Sequence, residues 1–184
     1  SRKELIEHFS FDSVNTSAAI FDADKLLWLN EHYIKSTPSK ELAQRLEPHL
    51  VTTGILPKDH GLNMQEIAKV IPCLKGRAKT LIEMAEKSAF FFKKQVEFDE
   101  KARSKFLTDE AKPLLEKVIT GLSALDDFSS DKIESLFKKT VEEESLKLGK
   151  LAQPVRVALT GTTVSPGIYD VILLLGKEQT LKRL

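Results

Sequence analysis

The sequence predicts an all-α protein, and three observations carry that prediction. Apolar side chains recur at three- and four-residue spacing over most of the 184 residues. Helix-start residues such as Asp22, Ser39, Thr108 and Ser130 stand at the heads of these periodic stretches. The one stretch that alternates like a strand, Val155, Val157 and Leu159, has no second strand to pair with, so it is read as helix. The expected architecture is about eight to ten helices in two units.

The elements follow in order. Residues 2–8 form a short helical pattern, and Phe9 to Asn15 is a turn-rich link. Asp22 is placed to cap a helix from Ala23 to about Ile34, with Leu26, Leu27, Leu29, Tyr33 and Ile34 as its apolar positions. Ser36-Thr37-Pro38-Ser39 breaks the pattern, and Ser39, Leu42 and Leu46 begin a helix running toward Leu50-Val51. Thr52 to Asn63 contains two Gly and one Pro and reads as a loop. Met64, Ile67, Ala68 and Ile71 mark an amphipathic helix over Met64 to Lys75, made irregular at its end by Pro72. Gly76 permits a tight link into Arg77, and helix resumes from Thr80. Phe90-Phe91-Phe92 is either core packing at the end of that helix or a stacking platform for bases.

A charged seam near residues 97–108 separates the two units. Beyond it, Thr108 opens a helix with Pro113 in its first turns and Leu114, Leu115, Val118, Ile119 and Leu122 as its buried stripe. Ser130 is placed to cap the next helix, with Ile133, Leu136, Phe137 and Val141 on its apolar face and an end near Leu148-Gly149. Lys150 to Thr160 reads as helix with Pro154 at a start position. Ser165-Pro166-Gly167 opens an apolar helix from Ile168 to Leu175 that stops at Gly176, and Lys177 to Leu184 forms a last short one.

The composition narrows the chemistry. With 28 basic and 27 acidic residues the net charge is +1, so overall charge does not speak for nucleic acid. Basic clusters at Lys75–Lys79, Lys93-Lys94 and Lys147–Lys150 are either local anion-steering patches or solvated helix faces. The single cysteine, Cys73, excludes an intrachain disulfide framework and suits a reducing compartment. It is either a structural cysteine or, beside Lys75 and Arg77, one with a lowered thiol pKa. No run of 18 apolar residues predicts a membrane span, and no signal-peptide core is seen. The first residue is not Met and lies directly before a helical pattern, which predicts a piece of a longer protein.

His8, His32, His49 and His60 are scattered, and none is spaced as a metal-ligand pair. No Gly-rich phosphate loop occurs, and nothing brings Ser, His and Asp together, so the residues describe a binding module rather than a complete catalyst. The most unusual stretch runs from Gln153 to Ile168. Arg156 interrupts an apolar run that ends in Thr160-Gly161, a loop of small residues follows, and Ser165-Pro166 carries a helix-start signature. Such a corner is either structural, with one snorkelling arginine, or a site where a guanidinium, hydroxyls and free helix N–H groups read a polar, anionic ligand.

Two long motifs carry a resemblance. Phe21-Asp22-Ala23-Asp24-Lys25-Leu26-Leu27-Trp28-Leu29-Asn30-Glu31-His32-Tyr33-Ile34, with Asn15 to Ile20 before it, resembles the segment following the catalytic domain of glutamyl-tRNA synthetases. Leu148-Gly149-Lys150-Leu151-Ala152-Gln153-Pro154-Val155-Arg156-Val157-Ala158-Leu159-Thr160-Gly161, then Ser165-Pro166-Gly167-Ile168 and Leu174 to Glu178, resembles that family's C-terminal block. The match keeps the family's order over essentially the whole chain. The family's two ATP motifs, of the HIGH and KMSKS types, do not occur.

The resemblance implies the C-terminal, anticodon-binding part of a bacterial-type class I enzyme that uses ATP to join glutamate to its tRNA. It implies an all-helical cage of two small bundles. Residues 1–38 would end the stem-contact region, residues 39–104 would form the first helical subdomain and residues 105–184 the second. It assigns Arg77 to the third anticodon base, a cytosine whose O2 and N3 suit a planar donor fork. Arg156 and Ser165 fall to the middle base, Pro166 and Ile168 to the first. Lys75, Lys79 and Lys150 are further candidates for phosphate contacts, or solvated surface lysines. The implied partner is glutamate tRNA, bound by a cytoplasmic monomer. No cofactor is expected in this chain, because ATP and Mg²⁺ would sit in the catalytic part, and the chain alone is expected to be inactive. Two alternatives stand beside this: a helical protein-interaction scaffold with no RNA role, and a piece of a duplicate synthetase with altered tRNA preference.

Overall fold

The computed structural model describes residues 2–14, 17–18 and 20–184; Asn15, Thr16 and Ala19 of the first motif lie outside the described residues, as does Ser1. Among the described residues there is no strand. The helices are α1 (Arg2–His8), α2 (Ala23–Ser36), α3 (Ser39–Thr52), α4 (Met64–Leu74), α5 (Leu81–Phe92), α6 (Glu100–Phe106), α7 (Lys112–Ala124), α8 (Ser130–Glu143), α9 (Leu148–Thr160) and α10 (Ile168–Arg183). Short 3₁₀ turns occupy Phe11–Ser13 and Asp109–Ala111. No helix among the described residues is long and apolar enough to cross a membrane.

The apolar stripes of α3, α4 and α5 meet in a first core: Leu42, Leu46, Leu50, Ile67, Ile71, Leu74 and Met84 are all buried there. Asn63 starts α4 with a capping box, its side chain accepting from the Gln65 and Glu66 N–H groups while Glu66 accepts from Asn63 N–H. A second core joins α7, α8, α9 and α10 through Val118, Leu122, Ile133, Phe137, Leu151, Val155, Leu159, Val171 and Ile172. Phe137 is fully buried, and truncating such a ring costs ~3–5 kcal/mol. The aromatic run at the end of α5 bridges the two cores, Phe92 packing on the first, Phe90 on the second and Phe91 on both.

The first end of the molecule is different. Asp22 caps α2 as the sequence predicts, accepting from Lys25 N–H at 3.0 Å. Yet Ile34 is the only buried residue of α2 among those described, while Leu26, Trp28, Leu29 and Tyr33 are exposed. The predicted apolar positions of this helix therefore remain largely outside the first core.

Several expectations need correction. Ser130 is the first residue of α8 rather than its cap, and Ser129, at the cap position, turns its hydroxyl to Asp127 instead. The same helix stops at Glu143, short of Leu148-Gly149. Ser145 adopts φ 51°, and Leu146 N–H bonds back to the Val141 carbonyl while Ser145 N–H bonds to Glu142, a Schellman closure. Pro154 lies inside α9, not at its start. α10 begins at Ile168 as the sequence predicts, but Gly167 stands at its cap position and Ser165 caps nothing. The stop at Gly176 is present as a non-helical residue of φ 76° that interrupts α10. The charged seam near residues 97–108 contains α6, capped by Asp99 and packed against α9, so a division at 104/105 falls inside that helix.

Candidate functional site

The site is built where α9 ends. Gly161 terminates that helix at φ 77°, and its N–H still bonds to the Val157 carbonyl. An added Cβ would lie 2.0 Å from the Glu97 carbonyl oxygen. Asp99 N–H donates to the Gly161 carbonyl at 2.9 Å. Glycine thus meets two demands at once, a left-handed conformation and direct contact with the segment leaving α5.

The loop after Gly161 braces itself. Thr160 Oγ1 donates to the Arg156 carbonyl at 2.8 Å, and Thr162 Oγ1 donates to the Val164 carbonyl at 2.9 Å. Arg156, one turn back on α9, fixes the far side of the loop. Its Nη1 donates to the Ser165 hydroxyl and to the Pro166 carbonyl, the latter at 2.7 Å. The Ser165 hydroxyl in turn donates to the Pro166 carbonyl at 2.9 Å. Arg156 Nε is buried without a partner. Burial holds this guanidinium below the ordinary arginine value, and the charge of Arg77 adds to that effect.

Arg77 arrives from the other unit, on the loop between α4 and α5. It shares a cleft of about 720 Å³ with Phe90, Lys93, Thr162, Ser165 and Pro166. Its side chain is exposed and makes no ion pair among the described residues. Glu86 and Glu97 also reach this cleft, Glu97 being paired with Lys93 at 2.6 Å. The arrangement offers a free planar donor fork, an aromatic face, hydroxyls and an apolar Pro ring. That set suits planar polar groups held by stacking and edge hydrogen bonds.

Arg77, Ser165 and Pro166 therefore line one cavity, with Arg156 bonded behind them. Ile168 does not reach it as a surface group, being 5% exposed and part of the second core. Lys75 donates through Nζ to the Thr37 carbonyl at the end of α2, so its ammonium is committed to that contact. Lys79 is exposed beside the cleft loop, and Lys150 lines a separate hollow of about 400 Å³ with Lys105 and Pro154. Phe90 serves both readings of the aromatic run, packing on the second core and lining the cleft. Lys87 also lines the cleft and escaped the sequence reading. Its spacing from Glu83 is that of an ordinary solvated helix pair, and nothing in the pattern distinguishes it.

Cys73 lies elsewhere, in a hollow with Lys69, Asp170 and Leu173. Of the two readings of Cys73, the lowered thiol pKa is reversed. Burial first, and then the Asp170 carboxylate, push the thiol up to about 11, and the Arg77 charge does not offset them.

Comparison with known proteins adds three findings. A family model described as "Anticodon binding domain" matches residues 41–184. The chain is 44% identical over 184 residues to a glutamate–tRNA ligase of Thermodesulfovibrio yellowstonii, covering 100% of this chain and 40% of that protein. The corresponding enzyme of Geotalea uraniireducens is 45% identical, with 100% and 38% covered. Among solved structures, a glutamate tRNA ligase from Elizabethkingia meningosepticum in complex with its amino acid superposes with a TM-score of 0.84 at 27% identity, covering 100% of this chain and 35% of that one. A glutamate–tRNA synthetase from Elizabethkingia anophelis gives 0.79 at the same identity and coverage. The chain thus spans about 40% of the length of the curated relatives it matches.

Proposed function

The chain belongs to the anticodon-binding domain family, and from that premise we propose that it is the anticodon-reading part of a glutamate–tRNA ligase. The observation that carries this reading is the convergence of Arg77 with Ser165, Pro166 and the Arg156 behind them around one cleft. Unstacked loop bases are the usual target of sequence-specific RNA recognition. In this reading Arg77 donates to O2 and N3 of a cytosine at the third anticodon position and leaves the N3–H of uracil unmatched. Arg156 and Ser165 serve the middle base. Pro166 gives the first base an apolar contact, with Ile168 anchoring the start of α10 beneath it. Each well-formed bidentate contact is worth ~1–3 kcal/mol of discrimination.

The same reading makes residues 1–38 the end of a stem-contact region, supported by the exposed Leu26, Trp28, Leu29 and Tyr33. The two helical subdomains are then residues 39–99 and 100–184, α6 going with the second through its packing on α9, each with its own core. Lys79, exposed beside the cleft, adds a phosphate contact, while Lys75 is engaged at the Thr37 carbonyl and Lys150 faces a separate hollow. The partner is glutamate tRNA, met by one copy of the protein in the cytoplasm. ATP, Mg²⁺ and the joining reaction belong to the remainder of such an enzyme.

Filter binding of the 184-residue chain to hairpin RNAs of the anticodon arm tests the reading. The glutamate anticodon should bind more tightly than a swapped one at moderate salt, and both affinities should fall as salt rises. Equal affinity for the two hairpins would remove the sequence-reading claim.

A further inference from the structure

The loop that presents Arg77 is held by its main chain from two directions. From α2, Asn30 Nδ2 donates to the Lys79 carbonyl at 2.5 Å. From α5, Lys87 Nζ donates to the carbonyl of Arg77 itself and pairs with Glu83 at 2.5 Å. Glu83 in turn accepts from Lys79 N–H at 2.7 Å. Between these grips Ala78 is 2% exposed and belongs to the first core, and Arg77 N–H bonds to the Leu74 carbonyl at 2.9 Å. The peptide units on both sides of Arg77 are thus fixed, while its guanidinium lines the cleft with no partner of its own among the described residues.

We propose that Asn30 and Lys87 are positioning residues for Arg77: they clamp the carbonyls of its loop and so set where its donor fork meets the ligand. This rests on the anticodon reading above. A long arginine side chain selects a base edge only if its root is fixed, because a wandering guanidinium finds water or phosphate as readily. Asn30 lies outside the cleft lining, and Lys87, which borders the cleft, acts here through the Arg77 carbonyl rather than on the RNA. Asn30 also gives the exposed helix α2 a defined role. With Lys75 bonded to the Thr37 carbonyl, α2 grips the loop at both ends.

The experiment measures one ratio, the affinity of the 184-residue chain for the glutamate anticodon hairpin over that for the same hairpin with uracil at the third position. Loss of a phosphate contact weakens both RNAs alike and cancels in this ratio, so a merely electrostatic or structural role leaves it unmoved. Asn30→Asp keeps the shape but loses the donor, and Lys87→Met keeps the stem but loses the ammonium. Each should reduce the ratio about threefold or more, the equivalent of one disturbed hydrogen bond. Lys87→Arg, which restores a donor, should return it toward wild type. Arg77→Gln is run in parallel. If it abolishes the preference while Asn30→Asp or Lys87→Met retains the wild-type ratio, the positioning role of that residue is overturned and the anticodon reading stands. If Arg77→Gln also retains it, the assignment of Arg77 falls and this proposal with it.

Discussion

The Nη1 of Arg156 donates to the hydroxyl of Ser165, nine residues later in the chain, and the same nitrogen donates to the Pro166 carbonyl at 2.7 Å. This contact closes the loop after α9 and turns the Ser165 hydroxyl toward Arg156, while Gly167 holds the cap position of α10. Ser165→Ala should cost ~0.5–1.5 kcal/mol in urea unfolding, and Ser165→Thr, which keeps the hydroxyl, should stay near wild type. On the anticodon reading, the alanine variant also loses preference at the middle base in hairpin binding.

Gly161→Ala should be far more damaging than a surface alanine. The residue would have to hold φ 77° and place a Cβ 2.0 Å from the Glu97 carbonyl oxygen. A loss of ~2–4 kcal/mol is expected from strain and displacement together. Because the displaced segment lines the cleft, RNA affinity should fall even where the variant remains folded, as circular dichroism and filter binding on one sample would reveal.

Arg183, at the end of α10, ties together the ends of α5 and α9. Its Nη1 donates to the carbonyls of Phe90 and Leu159, each at 2.8 Å, and its Nη2 to that of Lys93 at 2.7 Å. A cation at the C-termini of α5 and α9 meets the negative ends of both helix dipoles. Arg183→Met should lower stability by ~2–4 kcal/mol. Arg183→Lys should recover only part of this, since an ammonium lacks the planar fork that spans three acceptors. Amide hydrogen exchange should speed up first at the last turns of α5 and α9.

Cys73 should be slow toward iodoacetamide at neutral pH. Its thiol is raised from 9.0 to about 11, by burial first and Asp170 second. Because the folded state favours the protonated form, the associated stability is present in full below pH 9.0 and is lost as pH rises through about 11. Alkylation rates should climb across that window, and Asp170→Asn should move the climb to lower pH. A rate already maximal near neutrality would contradict the burial.

Helix identity was legible because burial writes a period into the sequence. Ile67, Ile71 and Leu74 on α4 show it, as do Ile133 and Phe137 on α8. Ends were harder. The stop at Ser145 uses a serine in the left-handed region, where glycine or asparagine is the usual signal. Pro154 read as a helix start because an interior proline forfeits a hydrogen bond, and its burial inside α9 is a tertiary fact. Arg156 stood out locally as a charge in an apolar run. Its neighbourhood with Arg77 did not, since the two lie on different units and no local period connects them. The family motifs suggested that grouping. Lys87 and Asn30 stayed hidden, because their partners are main-chain oxygens that leave no trace in side-chain patterning.

That last point extends through the molecule. Asn30, Lys75, Lys87, Lys177 and Arg183 all reach across elements to backbone carbonyls: those of Lys79, Thr37, Arg77, the end of α7, and the ends of α5 and α9. A carbonyl survives every substitution at its position. The receiving half of each contact is therefore exempt from mutation, and five donors carry the constraint for all of them. Such a frame lets residues at the receiving positions drift over long evolutionary times while the helices keep their mutual placement.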